Sequence, residues 1–138
     1  MRVVLDSKII YSGLYSSKGA SNAVLQLVGE RKVTPILSVA LYEEYQDVLG
    51  RPPLANDFGD DQKQDFLDYF CKVSDLTDIY YLWRPFLKDP KDDLVLEAAV
   101  AGGTKFIITH NLKDFKGIEK FGIEAIRPGD FLMKERFV

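Results

Sequence analysis

The 138-residue chain, 46% hydrophobic and 28% charged, has the size and balance of one globular domain. Its net charge of −3 excludes an obvious whole-surface polyanion binder, so a nucleic-acid substrate would require local basic residues or a metal ion. The lone Cys71 and lone His110 exclude an intramolecular disulfide and a Cys/His zinc site, and the lack of a secretory pattern or bilayer-length apolar run predicts a cytoplasmic protein without membrane association.

The chain opens on Arg2-Val3-Val4-Leu5-Asp6-Ser7-Lys8, an apolar run that ends abruptly in an aspartate. Val3 to Leu5 has the character of a strand buried on both faces of a parallel sheet, which puts Asp6 at the carboxyl edge where open α/β sheets hold ligands. Asp6 either caps the turn that follows or meets a cation. Ile9 to Tyr15 reads as a helical turn or an irregular connection, and Ser16 to Gly19 as a loop. Helical spacing of Ala23, Val24, Leu27 and Val28 predicts a helix from Ala20 to Glu30 with Ser21 as its cap. Val33 to Leu37 is a second strand, and its central Pro35 argues for a sheet edge or a bulge.

Ser38 then caps a predicted helix from Val39 to Leu49, with Glu43 and Glu44 in its first half, where dipole stabilisation is their plain explanation. Arg51-Pro52-Pro53 stops it, Asp57 to Asp61 is an acidic loop, and a helix follows from Gln62 to Val73. The cluster Ile79-Tyr80-Tyr81-Leu82-Trp83 reads as a strand or an extended wrap, with core packing ahead of base stacking as its role. Lys88 to Gly103 is an acidic loop leading into an alanine-rich helix with a glycine stop. Asp89, Asp92 and Asp93 bring more carboxylate to its start than one cap needs. Lys105 to Thr109 is a buried strand running straight into His110-Asn111-Leu112-Lys113-Asp114-Phe115. A short strand, Ile123 to Ile126, and a helix from Asp130 to about Arg136 close the chain. Strands alternating with helices predict an α/β sandwich on a mostly parallel sheet.

Four acids stand out by context: Asp6 after the first strand, Glu44 on the helix after the second, Asp93 at a helix start, and Asp114 after the late strand. Gathered carboxylates without histidine or cysteine suit hard divalent cations such as Mg²⁺ or Mn²⁺. Phosphodiester hydrolysis is the chemistry such a site serves best, since the ion generates hydroxide and neutralises transition-state charge.

In Val3-Val4-Leu5-Asp6-Ser7, Leu37 to Tyr45, Asp89 to Ala99 and Ile107 to Phe115, taken in order, the chain resembles the PIN-domain family, in particular the VapC-like toxin ribonucleases. The resemblance implies a three-layer α/β/α fold around a central parallel sheet of about five strands. It also implies a Mg²⁺- or Mn²⁺-dependent endoribonuclease acting on single-stranded RNA, usually a homodimer inhibited by a cognate antitoxin. Carried over, Asp6, Glu44 and Asp93 match the family's metal-binding acids, and either Asn111 or Asp114 stands at the fourth place. Glu43 and Asp92 are adjacent alternates, one residue out of register, and Ser7, Lys8 and Thr109 are further candidates.

Where the family reads Asp-Thr-Asn or Asp-Ser-Asn, this chain has Asp6-Ser7-Lys8. That lysine brings an ammonium toward the acids, to neutralise Asp6, to compete with a metal, or to meet a substrate phosphate. The competing reading is therefore a PIN-like module that binds RNA or a protein without cutting. A phosphoryl-accepting receiver domain fits less well, because Asp6 stands alone at its strand end and Lys105 precedes its strand. Tyr11, Tyr15, Tyr42 and Phe58 are candidate partner contacts if exposed and core residues if not.

Overall fold

The computed structural model describes residues 1–79 and 85–137. Its strands are β1 (Arg2–Leu5), β2 (Thr34–Leu37), β3 (Asp75–Leu76), β4 (Phe106–Ile108) and β5 (Glu124–Ile126). They form one sheet in the order β3-β2-β1-β4-β5, parallel at every pairing. The helices are α1 (Ser7–Tyr15), α2 (Ala20–Gly29), α3 (Val39–Leu49), α4 (Leu54–Asp57), α5 (Asp60–Val73), α6 (Pro90–Gly102) and α7 (Pro128–Lys134). Single 3-10 turns at Leu112–Phe115 and Ile118–Phe121 join β4 to β5.

The β1-to-β2 and β2-to-β3 crossovers run one way along the sheet, and β3-to-β4 runs back. Right-handed connections then put the helices of the first two crossovers on one face and α6 on the other. The result is the expected α/β/α sandwich. Val3, Val4, Leu5, Phe106, Ile107 and Ile108 are fully buried between its layers, each side chain contributing about 1.5–3 kcal/mol. Helix α6 packs closely because of Gly102, where an added Cβ would stand 2.9 Å from the side chain of Ile36 on β2. Gly103 then ends the helix at φ +63°, a left-handed conformation that glycine adopts without strain.

Several boundaries depart from the sequence-based expectation. Pro35 lies on β2, an interior strand. The Thr34 N–H points toward β1 and donates to the Met1 carbonyl, so the N–H that Pro35 lacks would face the β3 side. There β3 has not yet begun, since its first residue, Asp75, pairs with Ile36. The proline therefore removes no ladder bond. Ser21 is buried inside the first turn of α2, and Gly19 holds the cap position. Residues Ile9 to Tyr15 are wholly helical, and part of the expected acidic loop is taken into α4 and α5. Ser38 does cap α3, its Oγ accepting the Leu41 N–H at 3.1 Å. The Tyr80-to-Trp83 part of the aromatic cluster lies outside the described residues, and β3 precedes it. Among the described residues, no helix is long and apolar enough to cross a membrane.

Candidate active site

Three helices begin at the carboxyl edge of the sheet. Helices α1 and α3 leave the ends of β1 and β2 directly, and α6 runs back from that edge toward the start of β4. Their partially positive N-termini face the same region, which favours carboxylates gathering there.

Asp6 occupies the N-cap position of α1, yet its side chain makes no capping hydrogen bond. It is 7% exposed, and its Oδ2 accepts the Thr109 hydroxyl at 2.7 Å. Thr109 is itself fully buried at the end of β4, and its Oγ1 accepts the Asn111 N–H at 3.1 Å. Asp6 N–H donates to the Ile108 carbonyl at 3.0 Å, so backbone and side chain both tie the ends of β1 and β4 together. Below them the buried Tyr45 hydroxyl donates to the Leu5 carbonyl. Burial, and secondarily the charge of Asp6, push that phenol well above its ordinary pKa.

Asp92 on α6 reports the charge density most clearly. Burial, then the charges of Asp6, Asp114 and Asp89, push its carboxyl up to about 7, and Lys8 opposes them. Asp6, Asp92 and Asp114, drawn from β1, α6 and the turn after β4, thus share one electrostatic neighbourhood. Glu44 stands at its margin. Burial raises its pKa, Lys91 lowers it from 4.0 Å, and Asp6 is the weakest of the influences upon it.

Asp93 does not join this group through its Oδ1, which accepts the buried Leu87 N–H at 2.9 Å while the residue is only 1% exposed. Asp92, its neighbour, faces the other acids. Successive helix positions are turned by about 100°, so the two adjacent aspartates leave α6 in different directions. Glu43 is likewise turned from Glu44, lining a separate depression with Thr77, Asp78 and Glu97. Ser7 is buried at the start of α1, Lys8 is exposed one residue later, and Asn111 and Asp114 are exposed on the turn after β4.

Sequence reasoning missed the coupling of Lys91 to Glu44 and the contacts of His110. The His110 Nε2 lies 2.9 Å from Ser12 Oγ and 3.3 Å from Ser21 Oγ. Neither Lys91 nor His110 belongs to a spacing pattern; only their places beside Asp92 and Thr109 in the sequence marked them. Of the apolar candidates, Tyr15 is exposed, whereas Tyr11, Tyr42 and Phe58 are half-buried against the core.

Among the described residues, no three His, Cys, Asp or Glu side chains stand close enough to cage a metal ion. The donors are nonetheless all oxygen and carry a large excess of negative charge. That suits Mg²⁺, which is commonly held by one or two carboxylates together with water and substrate phosphate. The residues fit such an ion by chemistry, as an open site rather than a closed cage.

Comparison with known proteins agrees with the fold. A family model described as PIN domain matches residues 2–113. A chain in the crystal structure of VapBC2 from Rickettsia felis, bound to a DNA fragment from its promoter, superposes with a TM-score of 0.62 at 18% identity. The match covers 92% of this chain and 98% of that one. No curated protein sequence matches the chain significantly.

Proposed function

We propose a function from one premise: this chain belongs to the PIN-domain family. It is a nuclease, and more narrowly a Mg²⁺- or Mn²⁺-dependent endoribonuclease that hydrolyses phosphodiester bonds of single-stranded RNA. It acts in the cytoplasm as the toxin of a toxin–antitoxin pair, a homodimer restrained by a cognate antitoxin. Similarity to a VapBC2 chain supports that pairing.

The observation that carries the nuclease reading is the Asp92 carboxyl, held near 7 by burial and by Asp6 and Asp114. A carboxyl raised first by burial and then by neighbouring acids is stabilised by a cation, which would supply a hydroxide and a counter-charge for the scissile phosphate. Asp92 with Asp6, its strongest carboxylate neighbour, would hold it together with water and substrate phosphate, while Asp114, Glu44 and the Asn111 side-chain carbonyl would stand around the rim as further oxygen donors. Thr109 fixes the orientation of Asp6 by donating to one of its oxygens. Asp93 shapes the site from behind, by holding the chain at Leu87 ahead of α6. The N-termini of α1, α3 and α6 leave backbone dipoles directed at an anionic substrate.

One observation favours a second reading, a module that binds without cutting: the charge of Lys8 already opposes the acids around Asp92. Two experiments decide between them. The protein should cleave single-stranded RNA in Mn²⁺ and lose that activity in EDTA and in Asp92→Asn; cleavage that survives both treatments sinks the metal-site assignment. Lys8→Asn should bind Mn²⁺ more tightly, and equal affinity shows that the lysine does not compete with the ion.

A further inference from the structure

We propose that His110 is a positioning residue, latching the turn after β4 to α1 and α2 and so keeping the Thr109 hydroxyl on Asp6. The role in ion binding rests on the nuclease reading above; the latch itself does not.

The geometry begins with two serines on different helices. Ser12 on α1 and the buried Ser21 on α2 bring their hydroxyls within 3.3 Å of each other, and both reach the Nε2 of His110. Ser12 Oγ also lies 2.6 Å from the Lys8 carbonyl, the shortest of its contacts. A serine hydroxyl has one proton, and the shortest contact is the best place for it. With that proton on Lys8 O, the imidazole takes the tautomer in which Nε2–H donates to Ser12 Oγ. The ring is then tied through Ser12 to the Lys8 carbonyl in the first turn of α1, and Ser21 joins α2 to the same network by donating its own proton to Ser12 Oγ.

The residues beside His110 are the ones that shape Asp6. Thr109, immediately before, donates to its carboxylate, and Asn111, immediately after, donates its N–H to the Thr109 hydroxyl. Thr109 N–H ties the turn to the Ile126 carbonyl on β5. Among the hydrogen bonds of the described residues, only the His110 ring ties it to the bodies of α1 and α2. Without the ring the turn would lose its tie to the bodies of α1 and α2, leaving the Thr109 hydroxyl held on Asp6 only by its own bond and by the backbone bonds at Ile108 and Ile126. Groups that orient a ligating carboxylate typically change ion affinity about 10–100-fold when removed.

The test uses the full chain and three variants, His110→Ala, His110→Gln, and the double variant Ser12→Ala/Ser21→Ala. Amide hydrogen exchange at Asn111 reads the latch directly, Mn²⁺ titration followed by EPR reads its consequence, and thermal melting checks that each variant is folded. His110→Ala should speed Asn111 exchange roughly 10-fold and weaken Mn²⁺ binding by about 10-fold, with the melting temperature little changed. His110→Gln, which keeps an N–H donor toward Ser12, should recover part of both. The double serine variant should match His110→Ala, and combining all three substitutions should add nothing further. Unchanged Asn111 exchange in His110→Ala overturns the latch, as does a simple sum of the separate effects. Faster exchange in a chain whose parent binds no Mn²⁺ leaves the latch standing and removes the nuclease reading instead.

Discussion

Charges at the periphery of this protein and charges at the carboxyl edge of its sheet are treated in opposite ways. At the periphery they pair off: Arg2 with Asp75 at 3.0 Å, and Lys134 with Glu124 at 3.0 Å, every side chain about half exposed. Such wet pairs contribute little, about 0–1 kcal/mol each. At the carboxyl edge, Asp6, Asp92 and Asp114 crowd a half-buried space, and the carboxyl of Asp92 is driven up to about 7. The fold opposes its own stability there, through desolvation first and repulsion from the neighbouring acids second. A concentration of like charge that the scaffold does not need points to a ligand of opposite sign.

The sharpest way to break that contrast is to remove the crowded charges. Asp6→Asn and Asp92→Asn should each lower Mn²⁺-dependent RNA cleavage on the order of 100-fold or more, while the urea midpoint stays level or rises. A fall in stability with activity intact would reverse the assignment. Asp93→Ala should do the opposite of Asp92→Asn. It strands the buried Leu87 N–H, and equilibrium unfolding should show a loss of about 1–3 kcal/mol. Tyr45→Phe removes the hydroxyl that donates to Leu5 and should cost about 1 kcal/mol by the same measurement.

A gentler effect comes from pH. Asp92 takes up its proton near pH 7 in the folded chain and near 4 in the unfolded one, so the folded state binds more protons between those values. Stability of the metal-free protein should therefore fall as pH rises from about 4 to about 7. Asp92→Asn should flatten that slope and Mn²⁺ should offset it; a slope unaltered by the substitution would assign it to other groups. Smallest of all, Lys134→Ala should change the unfolding free energy by less than about 1 kcal/mol, because both partners are exposed.

The fold was legible because its signals are local. Val3 to Leu5 and Phe106 to Ile108 are apolar throughout, which only a doubly covered strand requires, and Ser38 sits where an N-cap belongs. Asp6 could be placed at the sheet edge for the same reason. Pro35 misled because a proline's effect depends on which neighbour its missing N–H would have met, and β3 starts one residue too late to miss it. His110 stayed hidden because Ser12 and Ser21, 98 and 89 residues away in sequence, carry no mark that they meet it.

Composition and periodicity thus determine the layers, the parallel sheet and the segments that bring acids to its edge, since burial and helical spacing are properties of neighbouring residues. Which acid of each adjacent pair faces the cluster was left to the tertiary structure. The rotation of α6 about its axis is set by its packing on β1, β2 and β4, and that packing turns Asp92 toward Asp6 and Asp93 toward Leu87.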